Sequence, residues 1–405
     1  MKILMVNKFY YIKGGSETYY FSLKQLLEEH GHKVIDFSMV DPKNFPSEYS
    51  EYFVENVNYQ NVRGGREKIN AAINIIYSVE ARKKFEQLVV DTKPDIVHLH
   101  IFQHQISPSI LDVIKKYNIP TVYTAHDLKM LCLNYKMMQH GHICEKCKGK
   151  KYYYCAINRC VKDSFAKSLI NVAEGYVHEW RHSYDVIDKI ITPSAFYKKK
   201  FEEFGIEENR VVHIPNFLDS DPLMVTPNQN AEKYFLYFGR LSEEKGVITL
   251  LKAFEKLDAK LQVVGTGPIE EYAKGFVKSH KMNNVKFLGF MSGQPLKDVV
   301  GNARAVILPS EWYENGPYSA IEALQMYRPI IGANIGGIPE LVDGNGYLFE
   351  SGNPVDLRNK VNKMEVMIPS EYEKCKNNSY RLFQENYTKE NHYRKIEKIY
   401  KELLN

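Results

Sequence analysis

Two short apolar runs, each followed by a turn and then a helix-period pattern, most constrain how this chain can fold. The first is KILMV, Lys2 to Val6, followed by Gly14-Gly15-Ser16-Glu17 and a helical pattern through Leu27. The second is YFLYFGRL, Tyr234 to Leu241, from which Ser242-Glu243-Glu244-Lys245-Gly246 leads into a helix carrying Leu250, Leu251 and Phe254. Apolar runs of this length read as strands covered on both faces, as in parallel sheets flanked by helices. Strand and helix patterns alternate through both halves, which predicts an α/β chain, and 405 residues suffice for two such units with separate cores. Residues 219–231 are polar, contain two prolines and read as the linker, giving units at 1–218 and 232–385. A last helical pattern, with Ile396, Ile399, Tyr400 and Leu403 at helical spacing, lies within 386–405.

The stretch from Pro309 to Glu340, PSEWYENGPYSAIEALQMYRPIIGANIGGIPE, carries the chemistry. Glu314 lies in a loop ahead of Gly316-Pro317, and the run Ala320, Ile321, Ala323, Leu324 reads as a helix whose first turn that proline sets. The backbone N–H groups of Tyr318 and Ser319 lie unpaired at its start, where the helix dipole favours a phosphate. Glu322 follows about one and a half turns in. One carboxylate thus precedes an anion site and one follows it, so Glu314 can serve sugar hydroxyls and Glu322 ribose hydroxyls of a single ligand.

With its E-x7-E spacing, the order ENGP, IEAL, a Pro329-initiated apolar run and Gly336-Gly337-Ile338-Pro339-Glu340, the chain resembles the family-4 retaining glycosyltransferases of the GT-B type. The resemblance implies two Rossmann-like domains facing across a cleft: an acceptor-side domain over 1–218, a nucleotide-sugar domain over 232–385, and a C-terminal helix at 386–405 crossing back to the first domain. It sets Gly15 against the donor diphosphate through its backbone, although Gly14-Gly15 is not the dinucleotide fingerprint and a tight turn explains it too. It matches Gly239 to Gly246 to the element G-R-x4-K-G, so that Arg240 and Lys245 stabilise the charge growing on the leaving diphosphate. It places His126, at the end of the strand-like TVYTAHD, near the reactive carbon of the sugar, and gives Asn216 of HIPNF a place between the domains, where a turn-forming Asn beside Pro215 is the competing reading. The implied catalytic set is Glu314, His126, Arg240 and Lys245. The implied nucleotide-sugar set is Gly15, Asn216, Gly316, Pro317, Tyr318, Ser319 and Glu322.

The implied reaction retains configuration at the anomeric carbon, with a nucleoside-diphosphate sugar of UDP or GDP type as donor and no metal at the diphosphate. Asn315-Gly316-Pro317, in place of an aromatic-glycine pair, resembles members that build surface polysaccharides, which makes the acceptor a saccharide or a polyprenyl-diphosphate-linked saccharide. DIVHLH, Asp95 to His100, reads as a strand running into a loop just as TVYTAHD does, which sets His100 with His126 at the carboxyl ends of a parallel sheet, where ligands bind. His126 is the preferred one of the two, and His98 shares a strand face with His100 by period two and reads as a satisfied core or edge histidine.

No apolar run approaches the length needed to span a bilayer, and the amino terminus begins on a core strand, which predicts a cytoplasmic protein with reduced cysteines. Cys144-x2-Cys147-x7-Cys155-x4-Cys160 suits a tetrahedral structural zinc, against two disulfides, an iron-sulfur cluster or thiols that bind nothing. This insert, at about 140–167, holds seven Lys and Arg against two acids between Cys144 and Lys167, a balance of 7 − 2 = +5 that equals the whole chain's 54 − 49. With Tyr152, Tyr153, Tyr154 and Phe165 interleaved, it reads as a metal-braced knob on the first domain, near the acceptor side or the inner face of the cell membrane, for an anionic membrane surface or a lipid diphosphate, against a merely solvated excursion. The charge is confined to one insert, which argues against a nucleic-acid partner. Two other functions fit the same residues: a nucleotide-sugar epimerase on this fold, and a non-catalytic zinc-ribbon interaction protein.

Overall fold

The computed structural model describes residues 1–56, 65–219 and 234–405; the linker expected at 219–231 lies, but for its first residue, outside them. Its strands are β1 (Lys2–Val6), β2 (Lys33–Phe37), β3 (Ile96–Leu99), β4 (Thr121–Thr124), β5 (Met138–Gln139), β6 (His142–Ile143), β7 (Lys189–Thr192), β8 (Val211–His213), β9 (Tyr234–Phe238), β10 (Lys260–Val264), β11 (Val285–Gly289), β12 (Ala305–Leu308), β13 (Ile330–Ala333) and β14 (Gly346–Phe349). Twelve of them form two parallel sheets of six, ordered β2-β1-β3-β4-β7-β8 and β11-β10-β9-β12-β13-β14, while β5 and β6 pair as a small hairpin.

Strand β1 shows why its sequence does not alternate. Leu4 and Val6 enter the core on one face of the first sheet, and Ile3 and Met5 enter the core on the other. Both faces are dry, so every position is apolar. The helix Lys389–Leu404 crosses from the second half to cover the first sheet, burying Ile396, Ile399 and Tyr400 in the same cluster as Ile3 and Met5. Each such side chain contributes about 1.5–3 kcal/mol by leaving water. Polar pins fix its register: the Tyr400 hydroxyl lies 2.6 Å from His98 Nδ1, and His392 bonds Tyr19 Oη at 3.0 Å and the Pro215 carbonyl at 2.9 Å. His98 also bonds Thr124 Oγ1 at 2.7 Å and is a satisfied core histidine.

Each sheet order reverses direction once, between β1 and β3 in the first sheet and between β9 and β12 in the second. At such a switch point the connections leave to opposite faces, and a crevice opens beyond the carboxyl ends of the strands. The segments that leave β1, β3 and β4 are Asn7 to Gly15, His100 and Ala125-His126; those that leave β9 and β12 are Gly239 to Lys245 and Pro309 to Glu314. The two crevices face each other across a cleft.

Candidate active site at the cleft

The turn after β9 and the loop after β12 meet. Gly246 sits at φ +67, and a Cβ there would lie 1.7 Å from the Pro309 carbonyl oxygen, so only glycine lets the two segments touch. Lys245, carried at the end of this turn, donates to Glu314 Oε1 at 2.6 Å. Ser310 donates to the same oxygen at 2.6 Å, and the carboxylate is buried. Lys245 also stands over the Trp312 ring at 5.3 Å. Gly336-Gly337 back the loop: the Gly337 amide donates to the Glu314 carbonyl at 2.8 Å, and a Cβ on Gly336 would come within 2.5 Å of the Glu314 nitrogen. Arg240 is exposed at the edge of the cleft, where its charge adds to burial in lowering the pKa of Lys13, with Glu17 opposing.

Pro317 precedes the helix Tyr318–Gln325 as its cap, with extended backbone (ψ 131), where the sequence suggested its first turn. Ala320 and Ile321 make the first bonds back to the Pro317 carbonyl, so the amides of Tyr318 and Ser319 come before the ladder and point out of the helix start. Glu322 is half-buried in this helix, and burial pushes its carboxyl up to about 7, with Lys297 opposing.

Several contacts tie this loop to the first sheet's crevice. Asn315 donates to the Ala125 carbonyl at 2.7 Å and accepts from Ser194 Oγ at 3.1 Å. Asn216, buried, donates to the Gly316 carbonyl at 2.9 Å, and its Oδ1 has no partner. Gly316 takes φ +74 with Pro193 and Asn216 beside it. A Cβ on Gly15, which opens the helix Gly15–Glu29, would lie 3.3 Å from the Tyr318 ring. Glu340 reaches back to accept from the amides of Ala195 and Phe196 at 2.9 and 2.7 Å.

On the first-sheet side, His126 Nε2 lies 3.1 Å from His100 Nδ1, and the two rings stack. Burial lowers His126 to about 3 and His100 well below its usual value, so both are neutral imidazoles, one donating and one accepting. Beside them, burial and then Lys13 push the Lys8 ammonium down to about 8 against the pull of Asp127 and Glu17.

The structure thus gathers Glu314, Lys245, Asn216, Gly316, Pro317, Tyr318, Ser319 and Gly15 around one loop and brings that loop to the residue before His126. Arg240 lies at the rim, and Glu322 lies inward along the helix. Asn315, Ser310 and Lys8 were not among the sequence candidates, whereas His100 was expected at a strand's carboxyl end but given no role. Asn315 stands inside ENGP, so the sequence carried its signal; Lys8 is marked only by the sheet order.

The cysteine insert departs from its expectation. Cys144, Cys147, Cys155 and Cys160 do gather, with Cys132 as an unforeseen fifth, around one small cavity. Among the described residues, however, no group of three or more His, Cys, Asp or Glu side chains is arranged to hold a metal, and the structural zinc finds no support. The gathering has another cause: Leu133, Cys147, Cys155, Ala156 and Val172 pack as a core of their own. Burial pushes the Cys132 and Cys147 thiols up to about 11 and about 12, while Cys155 is raised by its hydrogen bond to Cys160 and by burial. All six cysteines are free thiols. The insert also reaches across the cleft, where Tyr313 donates to Glu145 at 2.7 Å, and just ahead of the insert Lys136 pairs with Glu244 at 3.4 Å. No helix among the described residues is long and apolar enough to cross a membrane.

Comparison with known proteins places this geometry. The family model described as Glycosyltransferase Family 4 matches residues 13–222, and that described as Glycosyl transferases group 1 matches residues 225–382. An uncharacterized glycosyltransferase of Methanocaldococcus jannaschii is 23% identical over 100% of this chain and 99% of its own. A lipopolysaccharide 1,2-N-acetylglucosaminetransferase of Salmonella typhimurium is 31% identical over 43% of this chain and 52% of its own. Anabaena HepE, solved in complex with UDP-glucose, shares the fold with a TM-score of 0.66 at 16% identity, covering 98% of both chains. The chain belongs to Glycosyltransferase Family 4 and is a glycosyltransferase of the GT-B fold.

Proposed function

We propose that this glycosyltransferase moves a sugar, with retention at the anomeric carbon, from a nucleoside-diphosphate sugar of UDP or GDP type to a saccharide or polyprenyl-diphosphate-linked saccharide in surface polysaccharide assembly. The observation that carries the reading is the hydrogen bond from Asn315 to the Ala125 carbonyl, 2.7 Å, because these two residues adjoin Glu314 and His126 and so set the two groups toward one space. Residues 1–218 form the acceptor side, 232–385 the donor side and 386–405 the returning helix, in a cytoplasmic protein.

In this mechanism the Tyr318 and Ser319 amides, Lys245 and Arg240 receive the diphosphate, with the Gly15 backbone opposite and Asn216 holding Gly316 in place. Glu322 accepts from ribose hydroxyls. Glu314 accepts from sugar hydroxyls, and neutral His126 bonds a hydroxyl near the anomeric carbon. The bond from that carbon to the diphosphate oxygen breaks as the acceptor oxygen bonds the carbon on the same face. The acceptor proton passes to the departing diphosphate oxygen. Cations fixed in advance lower the barrier because the charge on that oxygen grows only as the bond breaks. Metal ions are not required at the diphosphate. UDP is the first nucleoside diphosphate to test, since HepE was solved with UDP-glucose.

Calorimetric titration with UDP, GDP, ADP and dTDP in EDTA tests the reading. One diphosphate binds and the others bind weakly; binding of none overturns the proposed site. The same titration has a pH signature. Ribose hydroxyls donate to an ionised carboxylate, and free Glu322 holds its proton up to about pH 7. Affinity therefore rises with pH, by about tenfold between about pH 6 and about pH 8, and Glu322→Gln removes that part of the dependence. An equal slope in the variant takes Glu322 out of the ribose role.

A further inference from the structure

The helix Phe165–Trp180 is built inside out. Its buried residues are Ser168, Asn171, Val172, Glu174 and His178, four of the five polar, whereas Phe165, Leu169, Ala173, Tyr176 and Trp180 are exposed. The spacing of those five is four, four, three and four residues, which sets them in one stripe along about 24 Å of helix. Trp180 is 83% exposed, too much for a ring that merely borders a core. The orientation is fixed from within: Asn171 Nδ2 donates to the Leu133 carbonyl at 3.0 Å, Glu174 accepts from Lys129 at 2.8 Å, and His178 lies 3.0 Å from Ser183 Oγ and 2.8 Å from the Ile76 carbonyl. Turning the helix to hide its apolar face would break all of these bonds in a buried setting, at a cost that keeps the stripe outward.

The short helix Tyr153–Ile157 packs beside it, with the Tyr152 ring edge-on to Tyr176, and adds exposed Tyr153 and Ile157, the latter 64% exposed. Single exposed apolar side chains are ordinary on a protein surface. Here they are contiguous, which marks a surface that something covers.

We infer that this face docks on an anionic lipid bilayer. Charge decides between a bilayer and a protein partner or a second copy. Lys146, Lys148, Lys151, Arg159, Lys162 and Lys167 are all exposed on the same lobe, and two copies would bring these like charges together. An anionic bilayer neutralises them while the stripe enters the headgroup region, where Trp and Tyr rings are at home with one polar edge wet. None of the residues of this stripe has a part in the proposed reaction, so the inference does not rest on that reading.

Co-sedimentation of the full chain with sucrose-loaded vesicles tests it, using phosphatidylcholine alone and phosphatidylcholine mixed with phosphatidylglycerol. The chain sediments with the mixed vesicles and far less with the neutral ones. Leu169→Gln/Trp180→Gln loses vesicle affinity by about tenfold or more, because the apolar part of the binding goes. Lys148→Gln/Lys151→Gln/Arg159→Gln removes the preference for anionic lipid. Both variants keep the wild-type melting temperature, since every substituted side chain is exposed. Absence of wild-type binding, undiminished binding of the double variant, or a dimer in sedimentation equilibrium that the double variant abolishes would each overturn the bilayer as occupant.

Discussion

Glu314→Gln lowers kcat by about 10²–10³ while the nucleoside diphosphate still binds. The carboxylate does two things at once: it anchors the Lys245 ammonium at 2.6 Å, and in the proposed mechanism it accepts from the sugar. Glutamine keeps the shape and the bond from Ser310, so the loop stays built, but it neither holds a cation in place nor accepts as strongly. Both losses are felt most when charge develops, so they fall on kcat more than on binding. The fold tolerates the change because Lys245 is partly exposed, with 24% of its side chain open to water, and can be hydrated once unpaired. Steady-state release of the nucleoside diphosphate, alongside calorimetry and a melting curve, separates these effects. A variant that turns over near the wild-type rate removes Glu314 from its role.

Gly246→Ala destabilises the chain by about 3 kcal/mol or more and depresses activity with it. Two penalties combine. A non-glycine residue at φ +67 carries backbone strain of about 1–2 kcal/mol, and its Cβ would stand 1.7 Å from the Pro309 carbonyl oxygen, so one of the two segments must move. Either movement separates Lys245 from Glu314. Gly141→Ala is the control: φ is +77, yet nothing lies within 4 Å of the added carbon, so only the strain remains, at about 1 kcal/mol. Urea unfolding of both variants reads the difference. Equal losses would mean that close approach to Pro309 does not matter.

Much of the fold was legible because burial on both faces leaves its mark in each strand locally. KILMV and YFLYF are apolar at nearly every position, and in the structure alternate residues of β1 do enter opposite cores. The E-x7-E spacing was equally local, since one loop and one helix turn carry both acids. The cysteine spacing was read too literally. Proximity along the chain did bring the thiols together, but packing with Leu133 and Val172 accounts for the gathering, and spacing alone says nothing of how the sulfurs point.

The helix Phe165–Trp180 shows the limit most directly. Its periodicity defines two faces, and the general rule turns the apolar one inward. Which face is inward depends on Leu133, Lys129, Ser183 and Ile76, whose atoms supply the bonds its polar residues need. By itself the sequence determined the parallel α/β architecture, the family and the turn-and-acid elements of the Pro309–Glu340 stretch, because those depend on short-range pattern. Only the tertiary structure decided that Asn315 meets Ala125, Asn216 meets Gly316 and His126 meets His100, because hydrogen bonds between residues so far apart in the chain depend on where the two sheets bring their strand ends.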